Sequence, residues 1–176
     1  ARPQEPMVVR VGPGQQWSMH ELVTRLLDSA CPARVMLCDR YVRGEANLRT
    51  LALLRESLRA VSAQVLLDVL TERDGENPQI AGQIQAVTGR PARWYDDVFG
   101  RLAANRPHDR YLLVDAGSRS TVWHMSNSPL DSRPGSPGPL NAHTPLRWRD
   151  MTCVRVEPAS LQFPPLVNWF KPGGHA

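Results

Sequence analysis

Residues 34–70 constrain the fold more than any other part of the chain. Residues 34–38 carry the unbroken run Val-Met-Leu-Cys and lead into Asp39. Residues 47–61 place Leu48, Leu51, Leu54, Leu58 and Val61 on one helical face, with Arg49, Arg55, Glu56 and Arg59 off it. Residues 62–70 then return to an apolar run ending at Leu70. Successive apolar residues suit a strand covered on both faces, and the longer repeat suits an amphipathic helix. Strand, helix, strand at this length implies parallel pairing through a crossover. The expected fold is α/β, a mixed sheet flanked by helices on both faces. With 176 residues, 41% of them hydrophobic, there is material for one core, so residues 1–176 are expected to form a single domain.

The remaining elements follow from local signals. A short apolar run at residues 7–11 precedes a Gly-Pro-Gly turn, and Ser18 with Glu21 then forms a capping box ahead of Leu22, Val23, Leu26 and Leu27, a helix that must end by Cys31-Pro32. Residues 78–87 read as a further helix with Gly89 as its stop. Residues 93–99, 109–115 and 121–126 read as strands, the last two joined as a hairpin by Ala116-Gly117-Ser118-Arg119. In the first of these, Asp96 and Asp97 would point to opposite faces and so cannot act as an acid-base dyad. Residues 128–145 hold five prolines and two glycines and are expected to be a loop without regular structure, the most mobile internal segment. A strand at 151–156 and a closing stretch at 161–170, interrupted by Pro164-Pro165, complete the chain. Residues 1–12, opening on a polar, proline-broken stretch, suit a linker from a longer polypeptide.

Composition narrows the chemistry. Lys+Arg number 21 against 17 Asp+Glu, and Lys171 is the sole lysine, so the positive charge is guanidinium and amine nucleophiles are effectively absent. Arginine grips phosphate with a planar fork, which suits a polyanionic partner. Cys31, Cys38 and Cys153 are odd in number and widely spaced, which fits a reduced, cytoplasmic setting with no disulfide framework. The five histidines and three cysteines offer no zinc-ligand spacing, so no metal and no cofactor is expected. No apolar stretch approaches the ~20 residues of a membrane span.

The segment Pro107-His108-Asp109-Arg110-Tyr111-Leu112-Leu113-Val114-Asp115 carries the pattern His-x-Arg-x-x-x-x-Asp. Alternation along a strand puts His108 and Arg110 on one face, able to address one phosphate, and four apolar or aromatic residues carry the chain to Asp115. The partner strand ends in Ser126-Asn127-Ser128, small polar hydrogen-bonders. Asp39 and Tyr41 follow a core strand, at the edge where α/β sheets bind ligands, and are candidates for a pocket rim. Arg106, with Arg90, Arg93, Arg101 and Arg119, could rim a polyanion groove, and His124 either packs in the hairpin or faces the site.

At these residues the chain resembles the phospholipase D superfamily, whose signature is His-x-Lys-x-x-x-x-Asp followed by a strand ending in small polar residues. Val35-Met36-Leu37-Cys38-Asp39-Arg40-Tyr41-Val42 is similar to the first core strand and exit loop of its smaller domains, including the module that follows MIT domains. The resemblance implies His108 as the nucleophile of a phosphohistidine step, Arg110 and Ser126 or Asn127 as stabilisers of phosphoryl oxygens, and Asp115 in an orienting role. It also implies a metal-independent reaction and, since this chain has one motif where the family uses two, a homodimer. Arg110 stands where the family has lysine, and Met125 where it has glycine.

Two functions follow. One is a nuclease-like phosphodiesterase, with nucleic acid preferred to lipid because the chain is arginine-rich, and with a part in bacterial phage defence implied by resemblance. The other is a catalytically silent module that keeps the fold to bind protein, a lipid headgroup or nucleic acid.

Overall fold

The computed structural model describes residues 7–117 and 119–173. Seven strands form one mixed sheet. Its core is β2 (Arg34–Cys38), paired in parallel with β3 (Leu66–Thr71) on one side and antiparallel with β5 (Arg110–Asp115) on the other. The short β4 (Arg93–Trp94) adds in parallel to β3. Beyond β5 the sheet continues antiparallel through β6 (Ser120–Met125), β9 (Met151–Val156) and β1 (Val8–Val11), giving the order β1-β9-β6-β5-β2-β3-β4.

Helices cover both faces, as the apolar runs of the central strands require. Val35, Leu37, Leu67, Val69, Leu112, Val114 and Trp123 meet α1 (Met19–Leu27), α2 (Glu45–Val61) and α3 (Ile80–Thr88). On the other face Met36, Cys38, Leu70, Leu113 and Val122 meet α4 (Tyr95–Phe99) and α5 (Pro164–Trp169). Trp123 is fixed within the first layer, its indole N–H donating to the carbonyl of Leu26 at 3.0 Å. The helix ends follow the expected signals: the Ser18 hydroxyl accepts from the Glu21 amide at 3.1 Å, and Gly89 closes α3 with φ at 73°.

Three sequence expectations are corrected. The stretch 93–99 is a strand for only two residues and then turns into α4, because Tyr95 and Phe99, four apart, both bury on one helical side while Asp96 and Asp97 occupy the exposed first turn. Residues 128–145 are not without regular structure. Pro129–Asp131 forms a 3-10 turn, and Arg133–Pro134 (β7) pairs antiparallel with Leu146–Arg147 (β8). Leu130 and Ala142 are buried, and the Ala142 carbonyl accepts from the His20 amide at 2.9 Å. Finally, Pro164 and Pro165 do not interrupt the closing stretch but open α5, where a missing N–H costs nothing, and Leu166 and Trp169 bury as expected. Cys31, Cys38 and Cys153 are free thiols.

Asp68 is the one carboxylate inside β3, 2% exposed, and pairs with Arg90 just beyond α3, with Arg93 3.9 Å away. Removing it leaves half-buried guanidinium charge without its counterion, so Asp68→Ala should destabilise the fold by about 3 kcal/mol. Denaturant unfolding of the two proteins measures this, and a loss near zero would mean that the arginines turn freely to water.

Candidate functional site at the carboxyl edge of the parallel strands

The site lies where β2 and β3 end and β5 begins. Because β2 runs antiparallel to β5 with Cys38 opposite Tyr111, the residue leaving β2, Asp39, comes level with the residue opening β5, Arg110. Backbone pairing continues past the strand ends, from the Asp39 amide to the Leu70 carbonyl at 3.0 Å and from the Glu72 amide to the Arg40 carbonyl at 3.3 Å. Asp39, Arg40 and Glu72 are thereby held at one edge, the edge at which open α/β sheets bind ligands.

Two connected groups occupy it. In the inner group Asp39 is 1% exposed. Its Oδ2 accepts from the Ser128 hydroxyl and its Oδ1 from the Tyr41 amide at 3.0 Å. Arg110 Nε stands 3.8 Å from Oδ1, a charge contact too long for a hydrogen bond, and has no hydrogen-bond partner among the described residues. Ser128 in turn accepts from the Leu130 amide at 3.1 Å and caps the 3-10 turn. Burial pushes the Asp39 carboxyl above the usual carboxylate range, opposed in order by Ser128, the Tyr41 amide and Arg110.

The outer group is a ladder of alternating charge. Arg40 donates to Glu72 at 2.7 Å, Arg106 donates to the same oxygen at 3.2 Å, and Arg106 also reaches Asp96 and the Gly100 carbonyl. Glu72 holds the Arg40 guanidinium above its ordinary range. The other end of Arg40 meets His108: its Nη1 lies 3.0 Å from Nδ1 of the exposed ring. A guanidinium can only donate, so Nδ1 accepts, and the neutral ring carries its proton on Nε2. Tyr41, 43% exposed, lies between two cations, with Arg43 4.9 Å and Arg40 5.4 Å from its ring centre.

The structure gathers some sequence-selected residues and separates others. His108 and Arg110 converge on the neighbouring residues Arg40 and Asp39. Asp115 is at the far end of β5, where its carboxylate accepts from the Gly117 amide at 3.0 Å in the hairpin turn. Ser126 and Asn127 are drawn away to β9. The Ser126 hydroxyl accepts from the Thr152 amide at 2.8 Å, and the Asn127 amide donates to the Asp150 carbonyl. His124 lies on the opposite face of the sheet, with Tyr111 beside it and Asp109 2.8 Å from its Nε2. Arg106 is 14% exposed and committed to the ladder. Sequence reasoning missed Ser128 as the inward hydroxyl, and Arg40 and Glu72 as the partners of His108. The signal for the last two was their place directly after parallel strands. Cys38, next to Asp39, hydrogen-bonds Tyr95 at 3.3 Å, and burial pushes its thiol up to about 12, which removes it as a nucleophile at neutral pH. Among the described residues no group of three or more His, Cys, Asp or Glu is arranged to hold a metal ion, and no helix is long and apolar enough to cross a membrane.

The raised Asp39 carboxyl has a consequence for stability. The folded chain binds this proton more tightly than the unfolded chain, so the contribution of Asp39 is greatest below the ordinary value of about 4 and falls as pH rises through the raised one. Asp39→Asn abolishes that dependence. The difference in thermal midpoint, variant minus wild type, should grow more positive from about pH 4 upward, and a flat difference would show that Asp39 ionises as in the unfolded chain.

Compared with known proteins, the chain matches no family model and no curated protein.

Proposed function

We propose that this chain is a phospholipase D-like, metal-independent phosphodiesterase of nuclease type that works as a two-fold homodimer through His108. The observation that carries the reading is that His108 meets Arg40 and Arg110 meets Asp39, consecutive residues at the carboxyl edge of β2. Arg110, held in charge contact with Asp39, and Arg40, with its guanidinium beside His108, are two cations of the kind that bind phosphoryl oxygens. Tyr41 between Arg40 and Arg43 offers an exposed ring at the same rim, which favours a substrate with bases over a lipid.

In the proposed reaction Nε2 of one His108 attacks phosphorus, forming a P–N bond as the P–O bond to the leaving group breaks. The leaving oxygen takes the proton from Nε2 of the second copy's His108. Water then forms a new P–O bond, the P–N bond breaks, and that second ring accepts the water's proton. The protonating ring must be the imidazolium, with hydrogens on both nitrogens, and the attacking ring must carry its proton on Nδ1 with Nε2 free. Both therefore require Arg40, which donates to Nδ1 here, to leave that nitrogen and turn to a phosphoryl oxygen. Asp115, remote from His108, takes no part in this scheme.

One observation favours the silent module instead. Arg40, Arg106 and Arg110 each contact a carboxylate at the rim, and Nδ1 of His108 meets a cation where a nucleophilic ring would be oriented by an anion. The two readings differ in turnover. On the enzyme reading His108→Ala abolishes cleavage of single-stranded nucleic acid without altering the fold, EDTA leaves the wild type active, and Arg110→Lys keeps or raises activity. Arg110→Ala loses the equivalent of about 3 kcal/mol of charge stabilisation. Sedimentation should show a dimer. Absence of turnover in a wild type that still binds nucleic acid would establish the module, and cleavage surviving His108→Ala would end the phosphohistidine route.

A further inference from the structure

Beside the site, the segment following Ser128 builds a second feature. β7 and β8 pair with Arg133 directly opposite Arg147, while the adjoining pair puts Leu146 into the core at 1% exposure. Cross-strand neighbours share a face at about 5 Å, and like charges there destabilise a ribbon. A third guanidinium, Arg49 on α2, lines the same surface: it borders a groove of about 700 Å³ with Arg147, and an adjoining hollow of about 200 Å³ with Arg133. Neutralisation within the chain is slight. Arg133 donates to the carbonyls of Leu130 and Ser132, and Arg49 pairs, among the described residues, with the exposed Glu45 at 3.4 Å. The Arg147 side chain has no hydrogen bond or ion pair among the described residues. The nearby Asp131 carboxylate faces Arg149 at 3.5 Å.

We infer that Arg49, Arg133 and Arg147 form a second anion subsite, which takes a backbone phosphate of a single-stranded nucleic acid whose reacting phosphodiester lies at His108. This rests on the nucleic-acid part of the proposed function and extends it. Repelling charges set face to face on a short ribbon are relieved by an anion that joins them. Their place supplies the link to the site. α2 begins directly after Tyr41–Arg43, and the Asn47 side chain on its first turn donates to the Leu130 carbonyl at 3.2 Å, tying that turn to the segment that carries both Ser128 and Arg133. A strand leaving His108 across Tyr41 has this segment as its path to Arg49 and the ribbon.

The test is fluorescence anisotropy with a long single-stranded DNA oligonucleotide and with a dinucleotide, on full-length protein in a His108→Ala background that prevents cleavage. Arg133→Gln with Arg147→Gln should weaken the long oligonucleotide about tenfold at fixed salt and lower the slope of log affinity against log salt by roughly 0.7 for each phosphate no longer neutralised. The dinucleotide, too short to reach the ribbon, should bind unchanged. Without ligand Arg147→Gln alone, which removes a side chain with no hydrogen bond or ion pair among the described residues, should melt no lower than its parent, since a repulsion has been relieved. Arg49→Gln alone should reproduce part of the loss. Unchanged affinity and slope for the long oligonucleotide would overturn the subsite, as would a lower unliganded midpoint for Arg147→Gln. A midpoint raised by inorganic phosphate through these arginines, with no effect on the oligonucleotide, would overturn it too, showing a free-anion site. Oligonucleotide binding that depends on the ribbon in a wild type without turnover would leave the subsite standing and remove the enzyme reading.

Discussion

The rest of the structure depends on how β2 is paired. With β3 parallel on one side and β5 antiparallel on the other, it is the strand at which the sheet changes direction. Its carboxyl end therefore lies beside the carboxyl end of one neighbour and the amino end of the other. Residues leaving β2 and β3 and residues entering β5 meet at one edge for that reason, and Asp39, Arg40, Glu72, His108 and Arg110 are all drawn from those three places. Burial of Val35 to Cys38 on both faces keeps the register from slipping, since a shift by one residue would exchange the two cores.

The rim itself is built by charge. Asp39 is buried and tolerated because a hydroxyl, an amide and a guanidinium face it, and that same arrangement fixes where the chain leaves β6 through Ser128. The outer residues form a chain of arginines and carboxylates that ends on an imidazole. Low exposure of Arg106 and Glu72 limits screening, so these contacts hold the loops at the sheet edge more firmly than ordinary surface pairs.

Much of this was legible from residue pattern alone, and for identifiable reasons. β2 and α2 fall where an unbroken apolar run and a helical repeat admit one reading. The segment at Arg93 to Phe99 did not, because a short stretch with scattered aromatics fits alternation and the spacing of Tyr95 and Phe99 equally well, and only the apolar layer that both rings share with Leu166 and Trp169 of α5 decides for the helix. In the site, the two-residue spacing of His108 and Arg110 was readable, but the choice among Ser126, Asn127 and Ser128 was not. It turns on β9, which captures the first two through Thr152 and Asp150 and leaves the third to turn inward. The meeting of Arg40 with Glu72 depends on parallel register, which no local pattern encodes.

The ladder from His108 through Arg40, Glu72 and Arg106 to Asp96 has a consequence for how such a chain can diverge. Each interior member contacts two neighbours, and Glu72 pairs with two arginines, so its replacement strands a half-buried guanidinium on either side. Drift at these positions is therefore constrained to compensated steps, with an arginine and its carboxylate exchanged or lost together. In descendants of this chain the loop after β3 and the loop before β5 would carry correlated substitutions even if the chemistry at His108 had been abandoned.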